Sequence, residues 1–229
     1  MNTKLIVALD VDTMTDALNL VERLGNSVEW YKIGKQLFTR SGPDAVKQLK
    51  QLGKHVFLDL KYHDIPNTVT QAVRAAAAIG ADLTNVHASG GPAMLKAASK
   101  AASESGVLLI AVTVLTSMDT TELAAVGLSC SPEEQVVRLA RLAQDNGVPG
   151  VVCSAREIVP IRKACGSDFV LVVPGIRPAG SSHGDQKRVM TPQQAAEAGA
   201  TFIVVGRPIT QAADPKSAAN TILAKLAER

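Results

Sequence analysis

Aromatic residues are rare in this sequence, at 3% of 229 residues, although 46% of the residues are hydrophobic. A chain of this length can bury a large core. With so few aromatic side chains, that core has to be built mainly from alanine, valine, leucine and isoleucine, which suit the buried strands of parallel sheets. We therefore expect a single α/β domain that spans residues 1–229.

Cysteine is also scarce, because the chain has only Cys130, Cys153 and Cys165 and no C-x-x-C spacing. An odd number at these positions argues against a disulfide framework and against a zinc cage. No apolar run approaches the ~18 residues that a membrane span needs, and the run in MNTKLIVALD is too short for a targeting segment. The expectation is a soluble protein of the reducing cytoplasm, with no membrane partner.

The chain lacks a strong charge bias, since its net charge is +3. Such a small, dispersed charge does not predict a nucleic-acid partner. The sequence contains no Walker loop and no G-x-G-x-x-G motif, so a nucleotide cofactor is not expected. Its histidines lack metal-ligand spacing, so no metal is expected either; they are His55, His63, His87 and His183.

A repeated alternation of strand-like and helix-like segments fills the chain. Short β-branched runs recur at 5–10, 29–34, 56–61, 83–88, 107–115, 150–154, 169–173 and 201–206. Alanine-rich segments with helix start signals lie between them. In SPEEQVVRLARLAQDNG, Ser131 is the predicted N-cap, Pro132 the first helical residue and Glu134 the partner in a capping box. Eight such alternations predict a (β/α)8 TIM barrel, with a doubly wound sheet as the alternative.

Two connections, 116–130 and 177–189, are longer than a simple link between a strand and a helix. Connections longer than about 12 residues are usually lids or binding loops. We therefore expect both to border a functional site.

The segment FLDLKYHDIPNT, residues 57–68, carries charges at the end of the third predicted strand. Because strand side chains alternate, Asp59 and Lys61 share one face. Asp10 ends the first predicted strand and Lys32 lies in the second, so four charges converge on the carboxyl-terminal mouth, where TIM barrels have their active sites. A structural layer of ion pairs is the alternative reading, but four charges at consecutive strand ends favour a catalytic site.

A second cluster follows the last two predicted strands. VVPGIRP contains Gly175 and Arg177 after the seventh strand, and IVVGRPIT contains Gly206 and Arg207 at the end of the eighth. Barrels commonly bind phosphate there, since glycine lets the backbone approach an anion and arginine offers a bidentate donor. Either motif alone is also typical of a turn followed by a solvated arginine. Together they predict a phosphorylated substrate.

The motifs IVALDV, DLKYHDIPNT, PGIRP, DQKRV and VVGRPIT occur in this order along the chain. They resemble the orotidine 5'-phosphate decarboxylase family in its short monofunctional form, and the likeness covers essentially the whole chain. The resemblance implies a cofactor-independent lyase that converts orotidine 5'-phosphate to uridine 5'-phosphate and CO₂ in de novo pyrimidine biosynthesis.

The resemblance also implies roles for the charges. Asp59, Lys61 and Asp64 are the expected catalytic residues, with Lys32 completing an alternating network and Asp10 near the ribose. In this mechanism Lys61 stabilises a carbanion at C6 and then donates a proton to it. Carboxylates beside Lys61 keep its ammonium group charged.

The remaining expected site residues bind the nucleotide. By the same resemblance, Ile65 and Thr68 join Asp64 in reaching the neighbouring subunit's site, which implies a homodimer. Thr116 is expected to lie against the pyrimidine, although Ser117 beside it is equally polar. The expected phosphate ligands are Arg177, Gln186, Gly206 and Arg207.

Two other functions remain open. Related hexulose-phosphate synthases and keto-gulonate-phosphate decarboxylases keep D-x-K-x-x-D but use Mg²⁺, and they typically present an acidic metal ligand where this chain has Lys32. A barrel that binds phosphate without catalysis is the third possibility. It is disfavoured because binding alone does not need an Asp-Lys-Asp array.

Overall fold

The computed structural model describes residues 3–178 and 190–228. Their strands form a closed parallel barrel in sequence order, β1 to β8, in which β8 pairs with β1. The strands are β1 Lys4–Ala8, β2 Trp30–Gly34, β3 His55–Tyr62, β4 Leu83–His87, β5 Leu108–Val112, β6 Gly150–Val152, β7 Val170–Val173 and β8 Phe202–Val205. The predicted TIM barrel is therefore confirmed, and the doubly wound alternative is wrong.

Helices cover the outside of the barrel. They are α1 Met14–Leu24, α2 Lys35–Ser41, α3 Asp44–Gln51, α4 Pro66–Ala78, α5 Gly91–Ser105, α6 Thr120–Ala125, α7 Pro132–Asp145, α8 Ile158–Cys165, α9 Pro192–Glu197, α10 Arg207–Thr210 and α11 Pro215–Ala227. Within the described ranges, none of these helices is long and apolar enough to cross a membrane.

The predicted helix start of α7 is confirmed in detail. The backbone N–H of Glu134 donates to the Ser131 hydroxyl at 3.2 Å, and the Glu134 carboxylate accepts the Ser131 N–H at 2.9 Å. A second capping box, between Asp119 and Glu122, starts α6 inside the segment expected to be a loop. Residues Thr120–Ala125 of that segment are helical because the Asp119 side chain accepts hydrogen bonds from the first free N–H groups of the helix.

Two apolar layers form the core, and strand alternation separates them. Outward side chains such as Val56 and Leu58 pack against the helices. Inward side chains, including Phe57, fill the barrel. The core is mostly aliphatic, as expected, but Trp30 and Phe202 pack edge to face in the interior with ring centroids 5.1 Å apart. Since each begins its strand, the two rings close the amino-terminal end of the barrel.

Asp82 lies between α4 and β4, at the amino-terminal end of the barrel, and its carboxylate accepts several hydrogen bonds. Lys50 Nζ contacts its two carboxylate oxygens at 2.8 and 2.7 Å, and the Val56 N–H donates to Oδ2 at 2.7 Å. His55 Nδ1 lies 3.3 Å from Oδ1. Burial raises the pKa of Asp82, but these hydrogen bonds and the Lys50 charge outweigh it, so the pKa lies below the ordinary 3.8.

We expect Asp82→Asn to lower the free energy of unfolding by about 1.5–3 kcal/mol at neutral pH, the range for hydrogen bonds to charged groups. Because the pKa of Asp82 is lowered by folding, its carboxylate stabilises the fold above the unfolded pKa, and this contribution disappears as pH falls through the folded pKa. Urea unfolding at pH 7 and below pH ~4 measures the difference between the variant and the unmodified chain.

The exposed Asp145 on α7 gives the matched control, since Asp145→Asn should change stability by no more than about 0.5 kcal/mol. The stabilising role of the Asp82 carboxylate is contradicted if Asp82→Asn has the same free energy of unfolding as the unmodified chain at pH 7. It is also contradicted if the difference at pH 7 remains unchanged below pH ~4.

Candidate active site

Four charged side chains meet at the carboxyl-terminal mouth of the barrel. Lys32 Nζ from β2 lies 2.9 Å from Asp10 Oδ1, just beyond β1, and 3.6 Å from Asp59 Oδ2 on β3. Lys61 Nζ, also on β3, lies 2.5 Å from Asp59 Oδ1. The predicted convergence of Asp10, Lys32, Asp59 and Lys61 is thus present as one alternating chain of charges.

Asp59 is the centre of this network. Its residue surface is only 8% exposed, so the carboxylate has little water to solvate it. That burial raises the pKa of Asp59. The charges of Lys32 and Lys61 and the hydrogen bonds from Lys61 and Asn85 lower the pKa by more than burial raises it, so the pKa of Asp59 lies below its ordinary value. Asp59 is therefore ionised at neutral pH and holds the two ammonium groups together.

A cavity of about 190 Å³ opens above these charges. One side carries Lys32, Asp59 and Lys61. The rest is mostly apolar, and Thr116 is its polar exception; the other lining residues are Phe57, Val112, Val114, Leu115, Val152, Val172, Pro174 and Val204. A mostly apolar cavity with a few charged groups on one side is typical of a small-molecule site. The exposed Ser117 is not part of this lining.

Gly34 at the end of β2 makes room for the charge network. A Cβ on this residue would lie 3.0 Å from Lys32 Nζ and 3.1 Å from Asp10 Oδ1. These separations are tighter than ordinary van der Waals contacts, so a methyl group here would press on the hydrogen-bonded pair. Glycine at this position therefore allows the contact between Lys32 and Asp10.

Three of the four residues expected to bind phosphate, Arg177, Gly206 and Arg207, lie on the β7 and β8 side of the mouth. Gly175 has φ +77°, a conformation that glycine adopts without strain, and it leads to the buried Arg177. Burial, and then the nearby Arg207 charge, lower the pKa of Arg177. Gly206 begins α10 close to Asp10, since its Cβ would lie 3.8 Å from Asp10 Oδ2. Two guanidinium groups are thus close enough to influence each other.

Gln186, the fourth expected phosphate ligand, lies outside the described residues, as does most of the connection 177–189. His183 lies outside them as well.

Asp64, Ile65 and Thr68 do not join the cavity of their own barrel. All three are exposed, with Ile65 at 66%, and none belongs to the lining of the cavity. The Asp64 carboxylate accepts the backbone N–H of Ile65 at 2.6 Å, directly before Pro66 starts α4. These residues lie outside the cavity that Asp59 and Lys61 line, although they follow them closely in sequence.

The three described histidines occupy two separate places. His55 stacks on Trp30 with ring centroids 4.7 Å apart at the amino-terminal end of the barrel. His63 and His87 lie 5.5 Å apart near the mouth. Burial, followed by the charges of His63, Lys35 and Lys61, lowers the pKa of His87. Across residues 3–178 and 190–228, no group of three or more His, Cys, Asp or Glu side chains could hold a metal ion.

A family model described as the orotidine 5'-phosphate decarboxylase / HUMPS family matches residues 3–222. The chain belongs to this family. A relative from Haemophilus ducreyi named orotidine 5'-phosphate decarboxylase is 53% identical over 230 residues, which covers 99% of this chain and 100% of the relative. A relative of the same name from Vibrio campbellii is 52% identical over 227 residues and covers 98% and 97% of the two chains.

Solved structures agree with this family membership. The crystal structure of orotidine 5'-phosphate decarboxylase from Lactobacillus acidophilus matches with a TM-score of 0.87 and 40% identity, covering 98% of this chain and 99% of that chain. The resemblance seen in the motifs to the orotidine 5'-phosphate decarboxylase family is thereby confirmed.

One buried polar residue at the site was missed from the sequence. Asn85 on β4 is fully buried, and its side chain contacts both Asp59 and the backbone of Lys61. The sequence LTNVH could have indicated it, because alternation along β4 places Asn85 on the same inward face as Leu83 and His87. Asparagine is neutral, so Asn85 does not belong to the pattern of charges at the strand ends.

Proposed function

We propose that this chain removes CO₂ from orotidine 5'-phosphate and yields uridine 5'-phosphate, working as a single barrel domain. The observation that carries the proposal is the Asp59–Lys61 ion pair at the base of a cavity that is otherwise mostly apolar. Such an arrangement suits a reaction that develops negative charge on a flat ring, because a cation fixed in an apolar cavity stabilises that charge without reorganisation.

In the proposed step, the bond between C6 and the carboxyl carbon breaks. The electron pair stays on C6 and CO₂ leaves. Lys61 stabilises this carbanion and then transfers a proton from Nζ to C6, after which solvent reprotonates the amine. Lys61 can do this because its ammonium group is already held beside the cavity by Asp59, which is buried and ionised.

Asp59 has a second proposed effect, on the bound substrate. A substrate carboxylate near Lys61 also lies near Asp59, and two like charges in a site with little water repel each other. Loss of CO₂ relieves that repulsion. Part of the effect of Asp59 is therefore to raise the free energy of the bound substrate before the bond breaks. Lys32 limits the repulsion because its positive charge lies 3.6 Å from the Asp59 carboxylate, although Lys32 also pairs with Asp10 at 2.9 Å.

For the phosphate we propose Arg177, Gln186, Gly206 and Arg207 as ligands. Arg177 and Arg207 carry like charges close enough to lower the pKa of Arg177. A phosphate dianion between them removes that repulsion and accepts charge-assisted hydrogen bonds. Binding energy gained at this remote group can hold the ring against the charges, and Thr116 in the cavity lining is the proposed contact with the pyrimidine.

Arg207→Ala should lower kcat/KM about 10- to 100-fold, because a charge-assisted hydrogen bond contributes roughly 1.5–3 kcal/mol and each 1.4 kcal/mol is tenfold. Steady-state kinetics with orotidine 5'-phosphate measures the loss. With orotidine, which has no phosphate, the variant and the unmodified chain should react equally slowly.

Arg141→Ala, which removes an exposed arginine on α7, is the control and should leave kcat/KM unchanged. An Arg207→Ala variant with unaltered kcat/KM for orotidine 5'-phosphate removes Arg207 from the phosphate site.

We infer further that two copies of the chain form a homodimer with shared sites, and that the protein works in the cytoplasm. Asp64, Ile65 and Thr68 are exposed beside the mouth, and Ile65 is a large apolar side chain at 66% exposure. An exposed apolar side chain in this position suits insertion into a neighbouring subunit. Cys130, Cys153 and Cys165 form no disulfide within the described residues, which suits a reducing compartment.

Magnesium-dependent sugar-phosphate chemistry is the second candidate, because the family description includes HUMPS members. The charge network argues against it. The Lys32 ammonium group lies between the carboxylates of Asp10 and Asp59, at 2.9 and 3.6 Å, in the space that a cation bound by both would need. A positive side chain there repels Mg²⁺.

An absorbance assay with orotidine 5'-phosphate, run with and without EDTA, separates the candidates. The proposal predicts loss of substrate absorbance at the same rate in both conditions, with uridine 5'-phosphate as the product. Turnover that EDTA abolishes indicates the magnesium-dependent chemistry. Binding of uridine 5'-phosphate without any turnover indicates a phosphate-binding barrel, and either result contradicts the proposal.

A further inference from the structure

Asn85 is a neutral residue in the barrel interior that connects two parts of the charge network. Its Nδ2 donates to Asp59 Oδ1 at 2.7 Å, and its Oδ1 accepts the backbone N–H of Lys61 at 2.7 Å. Asn85 is 0% exposed. Its side chain therefore has no water to exchange for either partner, and both hydrogen bonds persist in the folded chain.

The two partners fix the orientation of the amide. The Lys61 backbone N–H can only donate, so the amide oxygen must face it. The amide NH₂ then faces the Asp59 carboxylate, which can only accept. An aspartate at this position would keep the first contact but would set a second carboxylate against Asp59.

The pairing of β3 with β4 explains why this bridge is needed. Phe57 pairs with Leu83 and Leu58 with Thr84, but Val86 then pairs with Tyr62. Regular pairing would match Val86 with residue 60, so β3 has two extra residues in this stretch. A backbone N–H there lacks a regular ladder partner, and the side chain of Asn85 supplies one for Lys61.

Lys61 itself has an unusual backbone conformation. Its φ is +55°, and among residues 3–178 and 190–228 it is the sole residue other than glycine with a positive φ. Such a conformation costs a residue with a Cβ energy, and it persists only where the surroundings hold it. The hydrogen bond to Asn85 is a contact that holds it.

We propose that Asn85 is a positioning residue that locks the Asp59 carboxylate and the Lys61 backbone into one geometry, so that the Lys61 ammonium group points at the reacting carbon. The inference rests on the proposed decarboxylation. The ionisable groups facing Asp59 are Lys32 on β2 and Lys61 on β3, and His87 on β4 feels the charge of both Asp59 and Lys61. Asn85 touches Asp59 and Lys61 while adding no charge of its own.

Two variants test the proposal, and both are measured by kcat/KM against pH. Asn85→Ser removes the bridge but keeps a small polar group, and kcat/KM should fall about 10- to 100-fold, the effect expected for a lost hydrogen bond to a charged group. The acid limb of the profile should move to higher pH because Asp59 loses a donor. Asn85→Asp should lose more at neutral pH and recover toward acid, where one shared proton restores the donor.

Thr84→Val is the matched control, because Thr84 is equally buried on β4 and donates to Leu58 O at 3.0 Å on the outward face. It should change stability but leave the pH profile in place. If Asn85→Ser and Asn85→Asp lose stability yet keep the kcat/KM and pH profile of the unmodified chain, the positioning role is wrong.

A substrate-free measurement keeps this test separate from the proposed function. Carbon-13 NMR titration of the Asp59 carboxyl group should show its pKa rising in Asn85→Ser and unchanged in Thr84→Val. If the unmodified chain fails to decarboxylate orotidine 5'-phosphate, the proposed function fails, whereas an unmoved pKa of Asp59 in Asn85→Ser overturns the positioning role itself.

Discussion

Lys61→Ala should lower kcat by about 10⁴-fold or more, because general acid catalysis contributes roughly 10²–10⁴-fold and fixed electrostatic stabilisation adds about 10²–10³-fold. Steady-state and single-turnover kinetics measure the loss. Binding of uridine 5'-phosphate, followed by calorimetry, should persist, since the proposed phosphate ligands and the apolar wall are untouched. Substantial remaining turnover would remove Lys61 from the proposed role.

The backbone of Lys61 makes this variant a clean test. Lysine and alanine both carry a Cβ, so Lys61→Ala keeps the strain of φ +55° and does not change the backbone preference. Asp59 still has Lys32 at 3.6 Å and Asn85 at 2.7 Å after the substitution. Loss of activity therefore reports the missing ammonium group, provided that thermal unfolding shows a folded variant.

Lys61→Arg separates charge from proton transfer. Arginine keeps a positive group but does not deprotonate in proteins, so it can stabilise the carbanion without donating to it. We expect binding of uridine 5'-phosphate to remain and turnover to stay far below that of the unmodified chain. Near-normal turnover would show that proton donation comes from another source.

Mixing inactive Lys61→Ala and Asp64→Asn chains should restore activity after subunit exchange. In the proposed dimer each site takes Lys61 from one chain and Asp64 from the other. A hybrid dimer therefore contains one site with both substitutions and one site with neither. With random exchange about a quarter of all sites are intact, which sets the expected recovery relative to the unmodified protein.

The control for this experiment pairs Lys61→Ala with Asp59→Asn. Both residues lie in the cavity of the same barrel, 2.5 Å apart, so every site of that hybrid has one defect and no recovery is expected. If Lys61→Ala and Asp64→Asn also fail to complement while subunits demonstrably exchange, the shared site is wrong.

Strand periodicity made much of the barrel predictable. A period of two predicts that Val56 and Leu58 lie on one face of β3 and Phe57 on the other, and the two core layers separate them in this way. A period of two needs only the local sequence. Helix starts were predictable for the same reason, as with Ser131 and Glu134 at α7.

The shape of the site was less predictable, because it depends on pairing between strands. The register change between β3 and β4 leaves no mark in either strand alone, and the positive φ falls on Lys61 rather than on glycine. Asn85 has a role only because that register brings it to Lys61. Closeness in sequence can also mislead, because Asp64 follows Asp59 by five residues but does not line the same cavity.

Release of labelled CO₂ from carboxyl-labelled orotidine 5'-phosphate tests the central claim most directly. The measurement uses the chain after EDTA treatment and removal of the chelator, with Lys61→Ala measured in parallel. We expect one labelled CO₂ for each uridine 5'-phosphate formed by the unmodified chain, and near-background release by Lys61→Ala. Absence of labelled CO₂ from the unmodified chain, release only after Mg²⁺ is returned, or equal release by both proteins would contradict it.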